Sequence, residues 1–333
     1  MSREKLQALG LDLPLFPTTS VGSFPKPDYL TKARAEFNKG KMSQEELLEL
    51  ERKATAFWIE KQEELGIDVL VDGEQYRGDM VAYFAERMPG FTEGVLVRSY
   101  GNRYYHKPII TGEVQWPGPM TVEWWKYAQS LTKKPVKGML TGAYTVMDWS
   151  FNEHYADRTA TCMALADAIR KEVEALIAAG CKIIQIDEPA LSVRPEELAI
   201  AIEAMHRVTD GLNAYFITHA CYGALQYIYP GMLDLPVDNF DLEMSNSGNR
   251  AGLLEMFRRH RFTKDISFGV VDVHTHLLED SAAVRRSLEE ALAVLPKEQV
   301  WVDPDCGLKT RTVEEAIAKL RACVSGAAAV RQA

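Results

Sequence analysis

Short runs of β-forming apolar residues alternate with longer amphipathic segments along the chain. The apolar runs predict buried strands, and they lie at 18–24, 67–74, 136–142, 181–189, 213–219, 239–245, 266–274 and 299–307. The amphipathic segments predict helices with one buried face, and they lie at 43–66, 158–180, 195–209, 281–295 and 312–325. The first of these helices has clear ends, with Ser43 as N-cap, Glu46 three residues later and Gly66 as the stop.

This alternation predicts a parallel sheet covered by helices. Eight strands in 333 residues favour a closed (β/α)8 TIM barrel over an open doubly wound sheet, with residues 1–333 as one domain. The segment 98–116 does not fit the alternation. Its sequence, "RSYGNRYYHKPIITGEVQW", predicts a β-hairpin inserted between the second and third units.

Composition and charge narrow the classes of function. The chain is 47% hydrophobic and 26% charged with a net charge of −9, and it has no long basic cluster, which argues against nucleic acid as a ligand. It contains neither GxGxxG nor GxxxxGK[ST], and their absence weakens the hypothesis that the protein binds a nucleotide. No apolar run approaches the roughly 20 residues of a membrane span, and the start lacks a signal peptide's apolar region. A cytoplasmic protein without a membrane partner is therefore expected.

Most predicted strands end in a polar residue that can take part in chemistry. In a (β/α)8 barrel the C-terminal ends of the strands surround one mouth, where the active site lies. Residues far apart in sequence are therefore expected to converge there. These residues are Ser23, Glu74, Asp187, Glu188, His219, Cys221, Glu243, His274 and Cys306.

A subset of these residues forms a candidate metal site. The candidate ligands are His219, Cys221, Glu243 and Cys306. An imidazole, two thiolates and a carboxylate suit tetrahedral Zn²⁺, whereas two sulfurs fit magnesium or calcium poorly. Such an electron-rich zinc is better suited to holding a substrate thiolate than to generating hydroxide. Simple packing of buried cysteines is the alternative. The remaining cysteines are assigned to packing: Cys162, Cys181 and Cys323.

Other strand ends fit an amino-acid substrate. Glu74 and Asp187 could bind an ammonium group or share acid–base work, and structural ion pairs are the alternative. The backbone N–H groups of Val21, Gly22 and Ser23 could hold a carboxylate, because glycine permits close approach. A plain turn is the alternative for that segment.

Aromatic and histidine side chains complete the set of candidates. Trp149 follows the third strand and could stack a flat ligand or cap the core. The sequence "DVHTH" at 272–276 fits either a second metal pair or an acid–base histidine oriented by Asp272. We favour His274 in the mouth, with His276 in the loop that follows.

Together these motifs resemble the catalytic C-terminal barrel of cobalamin-independent methionine synthase. The matching stretches are "SVGSFP", "DVLVDGE", "VKGMLTGAYTVMDWSF", "IIQIDEPAL", "THACY" and "WVDPDCGLKTR", in family order over about 17–312. The resemblance implies a zinc-dependent methyltransferase that converts homocysteine to methionine. It implies zinc at the four candidate ligands, the substrate carboxylate at Val21–Ser23 and its ammonium at Glu74 and Asp187. His274 matches a histidine linked to protonation of a folate donor, and Trp149 matches a tryptophan at the pterin site.

The chain departs from the family pattern mainly on the folate side. Asp72 stands where the family has histidine, Gln75 and Gly78 replace charged or amide residues, and "SNSG" at 245–248 lacks an arginine. With the short segment before the first strand, these changes predict the single-barrel core form of the family. Methylcobalamin or a corrinoid protein is then the expected methyl donor. The alternatives are methyltetrahydrofolate as donor, another thiol such as coenzyme M as acceptor, and a non-catalytic zinc scaffold.

Overall fold

The computed structural model describes residues 2–98, 104–221, 225–245 and 247–332. The helices are α1 Ser2–Ala8, α2 Asp28–Asn38, α3 Gln44–Leu65, α4 Ala82–Ala85, α5 Val122–Ser130, α6 Ala143–Asp148, α7 Arg158–Ala178, α8 Leu198–Thr209, α9 Ser247–Arg259, α10 Ser281–Leu292 and α11 Val313–Arg331. The strands are β1 Phe91–Thr92, β2 Leu96–Arg98, β3 Tyr104–His106, β4 Ile109–Ile110, β5 Gly138–Thr141, β6 Phe151–Asn152, β7 Ile183–Asp187, β8 Tyr215–Ala220, β9 Asn239–Leu242, β10 Asp265–Val271 and β11 Val300–Pro304.

Six of these strands form one sheet in the order β11-β10-β9-β8-β7-β5. The pairs β5–β7, β7–β8, β9–β10 and β10–β11 are parallel. Every residue of these six strands is buried. Strands buried on both faces under crossover helices are typical of parallel α/β folds. The predicted α/β class with a parallel sheet is confirmed.

The first two predicted strands are reduced to single parallel bridges. Thr18 pairs with Val302 of β11, and Leu70 pairs with Val136 just before β5, so the pairing continues beyond both edge strands as a barrel requires. Asp68 Oδ2 accepts hydrogen bonds from both the Thr18 N–H and hydroxyl, which replaces part of a regular ladder. The second segment then ends at Gly73, whose φ of 77° no strand tolerates.

The chain packs into two compact units. The first comprises Met1–Tyr76, Trp124–Lys137 and Asn239–Ala333, and the second comprises Arg77–Glu123 and Gly138–Asp238. In the first unit α10 packs on α11 and α2 packs on α3. In the second unit α7 packs on α8 and α6. That residues 1–333 act as one domain stays a prediction.

The predicted hairpin belongs to the second unit and starts earlier than expected. Strand β2 pairs antiparallel with β3 in one small sheet, and β1 pairs antiparallel with β4 in another, so the paired residues begin at Phe91 and end at Ile110. Residues 99–103, which belong to the predicted hairpin segment, lie outside the described part of the chain. The stretch 111–116, which the sequence assigned to the hairpin, forms no strand.

Helices with capping signals are found where the sequence predicts them. Ser43 and Glu46 form a reciprocal capping box at the start of α3, and Gly66 ends that helix in the left-handed conformation. Thr312 and Glu315 form a second capping box at α11. Six helices were not predicted, and all of them except α9 are shorter than the predicted ones: α1, α2, α4, α5, α6 and α9. No helix among the described residues is long and apolar enough to cross a membrane.

The capping box of α3 gives a test of local stability. Ser43→Ala removes the side-chain acceptor for the Glu46 N–H, so we expect the free energy of unfolding to fall by about 1 kcal/mol. Urea denaturation measures this change. The neighbouring exposed substitution Gln44→Ala serves as control and should leave the midpoint nearly unchanged. An equal effect of both variants would contradict the capping account.

Candidate active site

The ends of β8 and β11 carry three of the four predicted metal ligands. His219 lies in β8 and is 3% exposed, Cys221 follows that strand directly, and Cys306 lies two residues after β11. Each offers one ligand atom, and these atoms all lie within 4.8 Å of one another. His219 and Cys221 are two residues apart, so an extended backbone directs both side chains to the same side. One nitrogen and two sulfurs form a donor set that could hold a soft divalent metal.

The fourth predicted ligand, Glu243, directly follows β9 and contacts His274. Its Oε1 lies 3.3 Å from His274 Nε2, and the Glu243 side chain is 23% exposed. The hydrogen bond to Glu243 raises the pKa of His274 above its usual value, against the opposing effect of burial. The carboxylate and the candidate acid therefore face each other. Metal ligation by Glu243 stays a prediction.

Asp305 positions the segment that carries Glu243. Its Oδ1 accepts hydrogen bonds from the N–H groups of Met244 and Ser245, and its Oδ2 contacts the Ser245 hydroxyl. A Cβ on Gly269 of β10 would lie 2.3 Å from Asp305 Oδ1, so only glycine fits at that position. Burial raises the pKa of Asp305 to about 7. The sequence motif "DPDCG" thus contains both a candidate ligand and a residue that supports the neighbouring strand end.

The predicted carboxylate-binding segment, Val21 to Ser23, packs against the turn after Cys306. Ser23 O accepts the Leu308 N–H at 2.7 Å. A Cβ on Gly307 would lie 2.1 Å from Ser23 Oγ, so a larger residue there would displace the Ser23 hydroxyl. Val21 and Gly22 are buried, and Ser23 is half-buried. The segment therefore lies beside the candidate thiol ligand.

The Glu74 turn is built by residues that depart from the family pattern. Gly73 and Glu74 both have positive φ, 77° and 54°, which is uncommon for a non-glycine residue. Asp72 Oδ1 accepts the Glu74 N–H at 2.9 Å and Asp72 Oδ2 accepts the Tyr76 hydroxyl at 3.0 Å. Gln75 Nε2 donates to the Gly73 carbonyl at 2.8 Å. Asp72 and Gln75 therefore have structural roles in holding Glu74.

Lys26 is a charged neighbour of Glu74 that sequence reasoning missed. Its Nζ lies 3.4 Å from the Glu74 carbonyl oxygen. Burial, followed by the charge of Arg34, lowers the pKa of Lys26 to about 8. The motif "SFPKP" placed this lysine three residues after Ser23, and that proximity was the available signal.

Asp187 and Glu188 end β7 but have different surroundings. Asp187 is 8% exposed and accepts a hydrogen bond from Gln185 Nε2 at 2.7 Å. Glu188 is buried, and its carboxylate accepts the Tyr144 N–H, the Thr145 N–H and the Thr145 hydroxyl at 3.1, 2.7 and 2.6 Å. Burial raises the pKa of Glu188 to about 7. Binding of a substrate ammonium by Glu74 and Asp187 stays a prediction.

Helix α6, which Glu188 anchors, ends at Trp149. The Trp149 ring is half-buried and lies 6.2 Å from the Tyr105 ring on β3, at an interplanar angle of 47°. Tyr105 Oη also approaches the Trp149 carbonyl oxygen at 3.5 Å. The tryptophan therefore has a fixed neighbour in the inserted hairpin. Its contact with a flat ligand stays a prediction.

His276 is excluded from the metal cluster that the described residues form. Its side chain is 74% exposed, and its Nδ1 lies 2.7 Å from Glu315 Oε1 on α11. The cluster found among those residues contains His219 and no other histidine. Assignment of His276 to the loop agrees with this placement. In the "SNSG" stretch, Asn246 lies outside the described residues.

The fold and the site define a class of protein: a parallel α/β barrel whose strand ends carry a His–Cys–Cys cluster that could hold a metal ion. The chain belongs to the cobalamin-independent synthase family, because the model of the family's catalytic domain matches residues 16–329. This confirms the resemblance found in the sequence motifs.

Two curated relatives and one solved structure show the extent of this similarity. The chain is 44% identical to 5-methyltetrahydropteroyltriglutamate–homocysteine methyltransferase of Flavobacterium johnsoniae and 41% identical to that of Bacillus licheniformis. These matches cover 100% and 99% of the chain but 44% of each relative, so the chain spans less than half their length. The structure of a B12-independent methionine synthase from a Shewanella species, in complex with selenomethionine, has a TM-score of 0.86 and 29% identity, covering 96% of this chain and 98% of that one.

The prediction that methylcobalamin or a corrinoid protein is the methyl donor is wrong. The family is described as cobalamin-independent, and the names of the relatives specify a methyltetrahydropteroyltriglutamate donor. That expectation rested on residues such as Asp72 and Gln75. In the structure both residues form hydrogen bonds within the Glu74 turn, so a structural role accounts for their presence.

Proposed function

We propose that this chain is a zinc-dependent methyltransferase that moves a methyl group from a methyltetrahydropteroyl-glutamate donor to homocysteine, forming methionine. The observation that carries the proposal is the His219–Cys221–Cys306 cluster in a chain of the cobalamin-independent synthase family. The curated relatives carry the name of this reaction. Selenomethionine in the Shewanella structure is the selenium analogue of the proposed product.

The donor set fits zinc. A neutral imidazole and two thiolates are common zinc ligands, and the carboxylate of Glu243 could supply a further ligand. His219 and Cys221 are buried, which limits competition by water. When bound, zinc supplies Lewis acidity that lowers the pKa of a coordinated substrate thiol and keeps it as a thiolate at neutral pH.

The chain's own residues hold the amino-acid part of homocysteine. The backbone of Val21–Ser23 lies against the Cys306 turn, where its N–H groups would bind the substrate carboxylate. Glu74 and Asp187 would bind the ammonium group. Binding of both charged groups of homocysteine orients its thiol for in-line attack. This orientation lowers the entropic part of the activation free energy of methyl transfer.

A methyltetrahydropteroyl donor loses its methyl group from an amine nitrogen. An amine is a poor leaving group, so this nitrogen needs a proton. His274 lies at the end of β10, within 3.3 Å of Glu243, and is the candidate general acid. Trp149 offers a half-buried ring for stacking against the pterin. These assignments place a proton source and a flat binding surface on separate loops of the proposed site.

A donor assay tests the proposal. The purified protein is incubated with homocysteine and either methyltetrahydropteroyltriglutamate or methylcobalamin, and methionine is measured. We expect turnover with the first donor only, and about one zinc per chain. Turnover restricted to methylcobalamin would overturn the donor assignment.

A second acceptor serves as the control for substrate class. Coenzyme M has a thiol and a sulfonate but no ammonium, so Glu74 and Asp187 could not bind it in the proposed way. We therefore expect homocysteine to be strongly preferred. Equal rates with both thiols would contradict the roles of these two carboxylates.

A further inference from the structure

The loop between β10 and α10 carries His274 with little apolar anchoring. Val273 is buried, but Leu277 and Leu278 are 76% and 55% exposed. Exposed leucines contribute little burial, so the order of this loop depends on polar contacts. The loop contains the candidate acid, and its conformation therefore bears on catalysis.

A single buried lysine on α11 holds this loop at two points. Lys319 is 0% exposed, and its Nζ donates to the Leu277 carbonyl oxygen and to Glu279 Oε2, at 2.5 and 2.9 Å. Removing an ammonium from water is unfavourable unless it is paired and hydrogen-bonded. A buried helix position would otherwise favour an apolar residue, so the lysine calls for a reason beyond packing.

Glu279 extends this contact to the start of the loop. Its second oxygen, Oε1, accepts the Asp272 N–H at 2.8 Å. Asp272 Oδ1 in turn accepts the His274 N–H at 2.7 Å. One carboxylate therefore joins the lysine to the turn that sets the position of the His274 backbone.

Helix α11 supplies a second, independent tether. Glu315 lies four residues before Lys319, so both side chains project from one face of the helix. Glu315 Oε1 contacts His276 Nδ1 at 2.7 Å, while its other oxygen accepts the Thr312 N–H of the capping box. The Glu315 contact is solvent-exposed at His276, whereas the Lys319 contact is buried.

We propose that Lys319 is a positioning residue for methyl transfer, which with Glu279 fixes the 272–279 loop so that His274 faces Glu243. This role rests on the proposed function, since it matters only if His274 serves the donor. Lys319 is not a member of the candidate ligand cluster formed by His219, Cys221 and Cys306. Its effect passes through Glu279, Asp272 and the backbone of the loop.

Lys319→Met and Glu279→Gln test the pairing. We expect each to lower kcat about tenfold while the KM for homocysteine and the zinc content stay near wild type, as for residues that orient a reacting group. The double variant should be no worse than the more damaged single variant, because both remove one contact. Hydrogen exchange of the peptide covering 272–280 should become faster in all three proteins.

Leu320→Ala is the matched control. Leu320 is the neighbouring buried residue on α11, and its apolar side chain cannot form a hydrogen bond or an ion pair with the loop. This variant should lower the melting temperature while kcat and exchange of the loop stay within about twofold of wild type. Wild-type kcat and loop exchange in Lys319→Met would overturn the proposal, as would losses in Leu320→Ala that match those in Lys319→Met.

The two proposals fail in different ways. If the wild-type protein transfers no methyl group from any donor, both the proposed function and the positioning role are wrong. If the wild type is active and Lys319→Met is equally active, only the positioning role is wrong. Loop exchange is read without turnover, so it reports the structural contact in either case.

Discussion

Replacing Cys306 by serine is expected to remove the proposed zinc and the proposed methyl-transfer activity together. A serine hydroxyl stays neutral at pH 7 and is a poor ligand for a soft metal, so only His219 and Cys221 of the cluster would remain. We expect the rate to fall more than about a thousandfold, which corresponds to ~4 kcal/mol of lost transition-state stabilisation. Zinc content by atomic spectroscopy and methionine formation give the two measurements.

Cys162 provides the control for this experiment. It is fully buried in α7, and burial raises the pKa of its thiol well above the usual value, so it is expected to be an inert packing residue. Cys162→Ala should keep zinc and activity while losing some stability. Full activity of a zinc-free Cys306→Ser protein would exclude the proposed role of the metal.

The strand-end pattern predicted that three of the candidate ligands lie together, because the fold converts sequence order into position. The polar residues that end or follow strands were identifiable without coordinates, and His219, Cys221 and Cys306 lie together as that pattern required. The buried strands were recognisable for a different reason: parallel strands that are covered on both faces are continuously apolar.

The missed parts depend on contacts between distant residues. Helix α6 has Gly142 at its N-cap and no side-chain cap of its own, so its sequence gives no start signal. The missing acceptor is Glu188, 43 residues after Thr145. In the same way Lys319 looks like an ordinary helix residue until its contact with Glu279, 40 positions away, is seen.

The donor prediction failed for a related reason. Asp72 was interpreted as a loss of folate-binding character because it replaces a histidine of the family pattern. In the structure its two oxygens bond Glu74 and Tyr76 within the same turn. A substitution near a site can preserve the site's geometry by other bonds, and sequence alone does not show which bonds form.

Removing the carboxylate of Glu188 is expected to destabilise the protein and misplace Trp149. Glu188→Ala leaves the Tyr144 and Thr145 N–H groups and the Thr145 hydroxyl without their acceptor in a buried site. It also opens space beside Gly142, whose backbone Glu188 now contacts closely. Buried donors that lose an acceptor cost about 1–3 kcal/mol each, and partial relaxation reduces the sum, so we expect a loss of about 3 kcal/mol.

Glu188→Gln separates the loss of shape from the loss of the acceptor. Glutamine keeps the volume and one carbonyl oxygen, but its amide nitrogen would face a donor, so an intermediate loss of stability is expected. Glu196→Ala, an exposed neighbour in sequence, should change the free energy of unfolding by no more than about 0.5 kcal/mol. Urea denaturation gives the order of the three variants.

Steady-state kinetics of the Glu188 variants then test whether α6, by holding Trp149, contributes to binding of the pteroyl donor. Because Trp149 directly follows α6, Glu188→Gln should raise the KM for the pteroyl donor more than the KM for homocysteine, with zinc retained. Equal changes in both KM values would indicate a general loss of structure. Unchanged stability of Glu188→Ala would instead show that the three hydrogen bonds to α6 are dispensable, and that the helix keeps Trp149 in place by packing alone.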